Sequence, residues 1–129
     1  MLEIKLIPDK GRGAVVTQFI QEGTLIEKTP VASFPPDQRK LIDETEIGPY
    51  YFVRPTEYDS QDSRVKGYIV FGLSSFCNHS EQPNAKIEWS KDRVGLWAKL
   101  TALQDIQAGE EVTIFYTNID EYPVEEFVD

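Results

Sequence analysis

The residues of this chain that could do chemistry are few, and most fall in two places. The only histidine and the only cysteine lie together as His79 and Cys77, within the stretch Phe71 to Asn84, FGLSSFCNHSEQPN. Asn78-His79-Ser80 follows the small residues Gly72, Ser74 and Ser75, and Pro83-Asn84 closes the segment. Asn and Ser side chains readily bond nearby backbone. Set between aromatic and apolar neighbours, they suit a built site better than an ordinary loop. The second place is Gly109 to Tyr116, GEEVTIFY, an alternating run that ends on a tyrosine.

Taken one at a time, these motifs leave the chemistry open. Cys77 and His79 could form a nucleophile and its base, since side chains two apart on a strand share a face. No orienting acid or oxyanion hole can be identified beside them, which argues against a cysteine hydrolase. As metal ligands the pair lacks the spaced Cys or His partners of a zinc site. Asn78-His79-Ser80 also matches an N-glycosylation acceptor, but no secretion signal gives that match meaning. Gly11-Arg12-Gly13 alone reads as a tight turn. It lacks the third glycine and following helix of a dinucleotide fingerprint, and the chain contains no Walker sequence. Tyr116 alone reads as a ring in the core with its hydroxyl at the surface.

The elements that must position these residues read as short strands and many turns. Leu2 to Ile7 alternates as a first strand, and Pro8 to Gly13 breaks it. Ala14-Val15-Val16 resumes, Glu22-Gly23 turns, and Thr24 to Glu27 is a second strand candidate, with a further short one at Val31 to Ser33. Pro36 to Ile42 suits a helical turn or two, with Pro near its start and an acid in the first turn. Tyr50 to Val53 reads as an aromatic strand, and Arg54 to Lys66 as a polar surface loop. Tyr68 to Phe71 is an apolar approach to the Asn-His-Ser cluster. Ala85 to Trp89 and Val94 to Leu100 form a hairpin around Lys91-Asp92-Arg93. Glu111 to Tyr116 is a last strand with Val112, Ile114 and Tyr116 on one face.

Composition narrows the function classes. At 129 residues there is room for one hydrophobic core. A net charge of −9 argues against direct nucleic-acid binding, which needs clustered cations, and is compatible with a basic protein partner. No apolar run approaches the roughly 20 residues of a membrane span. The strand-like N-terminus lacks the regions of a signal peptide, so the expected location is intracellular, in the cytoplasm or in a eukaryotic nucleus.

Order and spacing add what the single motifs withhold. Gly-x-Gly after a first strand, a Glu-Gly turn before an Ile-Glu strand, Asn-His-Ser with Pro-Asn close behind, and G-E-E-V-T-I-x-Y resemble the SET-domain protein lysine methyltransferases in compact form. The resemblance runs from about Lys10 to Tyr116. It implies one SET domain over residues 1–129, with 117–129 as an acidic and aromatic tail. The implied fold is mainly β, the SET (β-clip) arrangement of small antiparallel sheets with little helix. In it the C-terminal segment threads back in a pseudoknot-like path beside Asn-His-Ser and the glycine loop.

The implied cofactor is S-adenosyl-L-methionine, held by Gly11, Arg12, Gly13, Asn78 and His79. The glycine loop would offer backbone to the methionine portion, Asn78 its side chain, and His79 chiefly backbone contacts to the adenine. Tyr116 matches the catalytic tyrosine. Tyr50, Tyr51 and Tyr68, with Phe52, are the aromatics expected near a lysine channel. Such a channel has work to do, because a lysine with an ordinary pKa of about 10.4 is deprotonated near pH 7 only at a cost on the order of 4–5 kcal/mol. Apolar surroundings and a neighbouring positive charge both lower that pKa.

The chain departs from the family at Glu81, where many members have a cysteine. No cysteine follows Cys77 either, so neither a metal nor a zinc-bound C-terminal segment is expected. Tyr122 and Phe127 are available to close the site in its place, although the tail could equally be disordered. The implied partner is a basic lysine-containing protein or peptide. A homodimer could form, as compact relatives tend to dimerise. The rival to enzymatic function is a non-catalytic SET-like interaction module.

Overall fold

A computed structural model describes residues 1–58 and 64–122. Phe127, the acids beyond Tyr122, and part of the polar loop after Arg54 lie outside the described residues. Two four-stranded sheets carry the fold. In the first, β1 (Leu2–Ile7) pairs antiparallel with β2 (Gly11–Val16) across a tight turn. Asp9 and Gly11 adopt left-handed φ values of 67° and 83° there, which suits glycine at the second position. The sheet is completed by β5 (Asn78–His79) and β8 (Glu111–Ile114), in the order β1-β2-β8-β5.

The second sheet has the order β4-β3-β7-β6, with β3 (Leu25–Phe34), β4 (Gly67–Val70), β6 (Ala85–Lys91) and β7 (Leu96–Ala102). β6 and β7 form the expected hairpin, paired from Ala85↔Ala102 to Lys91↔Leu96. The helical piece falls where Pro36 and Asp37 place it, as a 3-10 turn at Pro36–Gln38 running into α1 (Arg39–Asp43). Ala14, Val16, Leu100, Ile106 and Val112 are fully buried between the sheets.

Two readings of the sequence are corrected. The strand pieces at 24–27 and 31–33 are one ten-residue strand, β3. Its first part pairs with β7 as far as Pro30↔Trp97, and its second with β4 from Val31↔Val70. Pro30 sits where the partner changes, so its missing N–H interrupts neither ladder, and a proline that signals a break in sequence does not make one here. The aromatic stretch Tyr50 to Val53 is not a strand. Gly48–Tyr50 is a 3-10 turn, and only Phe52 bridges to Tyr68, through two N–H···O bonds of 2.8 Å. Each ring has its own neighbours: Tyr50 packs on Phe76, Tyr51 on Phe34, and Phe52 on Trp89. That divergence is incompatible with the two-faced alternation of a ladder.

Candidate active site

The site forms where β8 returns from the far end of the sequence. It lies between β2 and β5, antiparallel to the first at Ala14↔Val112 and parallel to the second at Asn78↔Thr113. Because successive side chains alternate, Val112 and Ile114 enter the core while Glu111 and Thr113 face the other way. The glycine turn, the Asn-His-Ser cluster and the end of the Gly-Glu-Glu strand therefore become neighbours.

Thr113 and Asn84 are locked together on this opposite face. The Thr113 N–H donates to Asn84 Oδ1 at 2.9 Å, and Asn84 Nδ2 donates to the Glu111 carbonyl at 2.8 Å. Asn84 thus serves as a side-chain rung of the sheet, which explains the asparagine that closes the Asn-His-Ser segment. Glu111 is the residue that sequence reasoning missed. Its Oε2 accepts from Asn78 Nδ2 at 2.7 Å, and its Oε1 takes the Lys10 ammonium at 3.0 Å. Asn78 Nδ2 also donates to the Arg12 carbonyl at 3.3 Å. Both amide protons are then committed to protein, which leaves Oδ1 as the acceptor that Asn78 can offer a ligand. The signal was the alternation itself, since the residue before Val112 must leave the core.

Gly13 makes this packing possible. A Cβ at that position would meet Ile7 Cγ1 at 2.6 Å, with Asn78 Nδ2 and Glu111 Oε2 each at 2.8 Å. The glycine is needed for close approach of protein side chains, which differs from the open backbone expected of the whole loop. Open space does surround Gly11, where an added Cβ meets nothing within 4 Å. Gly13→Ala is expected to cost about 1–3 kcal/mol of stability through overpacking, read as a lowered urea midpoint. An unchanged midpoint would show that Asn78 and Glu111 can yield.

Tyr116 is oriented from two sides. Its hydroxyl donates to the Cys77 carbonyl at 2.8 Å, and its backbone N–H donates to His79 Nδ1 at 2.9 Å. The His79 ring is therefore an acceptor at Nδ1 and carries its proton on Nε2, which faces Glu81 Oε1 at 3.3 Å. The ring packs against Phe115 and Tyr116, so the lone histidine positions the tyrosine. Cys77 is almost fully buried, and desolvation pushes its thiol well above the ordinary range, which leaves it packing and its carbonyl working. The turn that presents this carbonyl, Leu73–Phe76, is held by Glu27, whose carboxylate accepts the Leu73 and Ser74 N–H groups at 3.0 and 2.9 Å.

Two cavities meet at Tyr116. The smaller, about 290 Å³, is walled by Gly11, Arg12, Tyr50, Phe76 and Asn78 among others, together with Tyr116. Arg12 Nη2 donates to the Tyr50 hydroxyl at 3.0 Å, and the guanidinium lies 5.0 Å from the Phe76 ring centroid. The larger, about 480 Å³, is mainly apolar: Phe52, Ile87, Trp89, Ile114 and Phe115 line it, with Tyr51 and Tyr116. Gly11, Arg12, Asn78, Tyr50 and Tyr116 are thus brought together, and Tyr51 reaches the apolar side. Tyr68 and His79 are on neither wall. Tyr68 is buried elsewhere, its hydroxyl donating to the Glu57 carboxylate at 2.7 Å and its ring beside Trp89.

Comparison with known proteins agrees with this geometry. The family model described as SET domain matches residues 11–117. A Schizosaccharomyces pombe protein named histone-lysine N-methyltransferase, H3 lysine-37 specific, is 31% identical over 115 residues, covering 89% of this chain and 72% of the relative. A Yarrowia lipolytica protein named as H3 lysine-36 specific is 39% identical over 80 residues, 59% of this chain and only 9% of that much longer relative. The Neurospora SET-domain protein DIM-5 superposes with a TM-score of 0.65 at 22% identity, over 89% of this chain and 51% of that one. A Plasmodium falciparum crystal structure gives 0.67 at 24% identity, over 90% and 96%. These two structural likenesses speak for the fold, a mainly β arrangement with little helix. The chain belongs to the SET-domain family.

Proposed function

We propose that the two cavities are the two halves of a methyl-transfer site, with the cofactor on the polar side and a lysine on the apolar side. The chain is a protein-lysine N-methyltransferase, an activity supported by its family membership and its kinship with the S. pombe enzyme. The observation that carries the division of the site is Tyr116, which stands on both walls.

The residues of the smaller cavity fit the amino-acid end of S-adenosylmethionine. The Arg12 guanidinium suits a carboxylate, and Asn78 Oδ1, its amide protons already used, suits an ammonium. When bound, that cofactor supplies a methyl group activated on a sulfonium. The chain's own residues do the rest. The apolar cavity receives the aliphatic lysine stem, excludes water from the amine and so favours its neutral form. Tyr116, its hydroxyl proton engaged in the hydrogen bond it donates to the Cys77 carbonyl, presents oxygen lone pairs that can accept an N–H of the amine and hold it in place. His79 and Glu27 keep that arrangement fixed from behind.

The net charge of −9 supports a basic lysine-rich segment as substrate, and the named activities of the relatives make histone H3 the first to try. Direct nucleic-acid binding is not part of the reading, and a homodimer is compatible with it. An intracellular, histone-accessible location follows from the same substrate. The test is transfer of isotopically labelled methyl from S-adenosylmethionine to histones and other basic proteins, with lysine identified by mass spectrometry. Cofactor binding without transfer to any of them would favour the interaction-module alternative.

A further inference from the structure

Two cations, Lys10 and Arg12, stand on the wall of the smaller cavity together with Asn78. They suit a ligand carboxylate but would repel the ammonium read beside Asn78. Glu111 answers the first of them from behind the wall. It does not line the cavity, and its side chain is only 15% exposed. Lys10 comes from the tight turn joining β1 to β2, between left-handed Asp9 and Gly11, 101 positions earlier in the chain. Its ammonium meets Glu111 Oε1 at 3.0 Å, while Oε2 accepts Asn78 Nδ2 at 2.7 Å.

The acceptors around Asn78 dictate which way its carboxamide faces. A carboxylate and a backbone carbonyl have no proton to give, so both must meet the NH2 end. Asn78 Nδ2 accordingly faces Glu111 Oε2 and, at 3.3 Å, the Arg12 carbonyl. Glu111 makes the shorter bond and is the partner that a substitution can alter. Turning the amide over would set its oxygen against two acceptors. A ligand therefore meets the oxygen end, which selects a donor, and a charged donor most strongly. An ion pair with no further role would contribute little and would favour no ligand over another.

We propose that Glu111 is a positioning residue that makes the smaller cavity selective for the ammonium of the cofactor. The inference rests on the reading of that cavity as holding the cofactor's amino-acid end. Glu111 acts through Asn78, and it neutralises Lys10, which would otherwise repel the same ammonium. Glu111→Gln separates these effects from simple packing, because a glutamine has one acceptor to divide between two donors. Lys10 has only protons to give, so it draws the Gln oxygen and leaves the Gln NH2 toward Asn78. Asn78 then gains by turning its oxygen inward and its NH2 to the ligand. Removing Lys10 as well frees the Gln oxygen to face Asn78 Nδ2 again.

The experiment is calorimetric titration with S-adenosylhomocysteine and with its analogue bearing hydrogen in place of the α-amino group. Wild-type protein is expected to bind the amino-bearing ligand about tenfold or more tightly. Glu111→Gln is expected to lose that preference, and Glu111→Gln combined with Lys10→Met to regain most of it. Lys10→Met alone keeps the carboxylate on Asn78 and removes the repelling cation. It is expected to raise the preference above wild type, and serves if Glu111→Gln does not fold. A wild-type preference in folded Glu111→Gln overturns the inference and leaves the site reading intact. So does a double variant no better than Glu111→Gln, or a Lys10→Met preference at or below that of wild type. A wild-type protein that binds the two ligands equally, or binds neither, overturns the site reading as well.

Discussion

Tyr116→Phe is expected to lower kcat on the order of 10²-fold or more while cofactor affinity stays within about twofold. The substitution keeps the ring, and with it the packing against His79 and Tyr122. What disappears is one hydroxyl, the atom that bonds the Cys77 carbonyl on a residue that lines both cavities. If that oxygen holds the amine, its loss lets the nitrogen wander, and misplacement by about an ångström is enough for a hundredfold effect. The orphaned carbonyl should also cost about 1–3 kcal/mol of stability, so a denaturation curve must accompany the kinetics. Single-turnover methyl transfer at saturating cofactor separates the two effects. Wild-type turnover in the folded variant would remove Tyr116 from the chemistry and leave it a packing residue.

Asn78→Ala is expected to weaken S-adenosylmethionine binding by roughly 10- to 100-fold, the range of a hydrogen bond to a charged group of about 1.5–3 kcal/mol. Two losses combine. The carboxamide oxygen no longer meets the ligand ammonium, and Glu111 Oε2 loses the donor it holds at 2.7 Å. Glu111 keeps its ion pair with Lys10, so the carboxylate is not stranded and the fold should survive. Calorimetric titration with the cofactor, or with its demethylated product, reads the effect without needing a substrate. Asn78→Asp is the sharper companion: it sets a second carboxylate against Glu111 and removes the amide donors together. An unchanged dissociation constant in Asn78→Ala would make the carboxamide a structural rung only, and would move the cofactor out of the smaller cavity.

The two effects fall on opposite halves of one site, and the separation is itself informative. Tyr116→Phe should act on turnover and Asn78→Ala on cofactor affinity. Because Tyr116 bonds the residues on either side of Asn78, a double-mutant cycle is expected to show a measurable coupling between them. Strict additivity would mean that the Cys77 and His79 bonds to Tyr116 are insensitive to the side chain between them.

Much of the strand pattern was legible in the chain because it depends on neighbours. The alternation of Leu2 to Ile7, the hairpin around Lys91-Asp92-Arg93 and the helical turn after Pro36 all appear where local rules put them. Where a tertiary partner sets the outcome, the local rule fails. Pro30 looks like an end and is the middle of β3, because the ladder changes partner there. Tyr50 to Val53 has strand composition, yet its rings diverge toward Arg12, Phe34 and Trp89. Tyr68 is expected near the channel by aromatic type; its hydroxyl bonds Glu57 and its ring lies beside Trp89, which lines the apolar cavity.

By itself, then, the sequence determined the family and the short-stranded class of fold, and it put forward Asn78 and Tyr116 as the side chains to test. Those depend on residue type, order and spacing, which are written along the chain. Only the tertiary structure decided that Glu111 holds Asn78, that His79 steadies Tyr116 through its backbone, and that the Tyr122 ring lies against that of Tyr116. Each of these joins segments with no local sequence relation, through the insertion of β8 between β2 and β5 and the ion pair of Arg39 with Glu121. Periodicity reports which face a side chain takes and is silent about what the chain later brings to meet it.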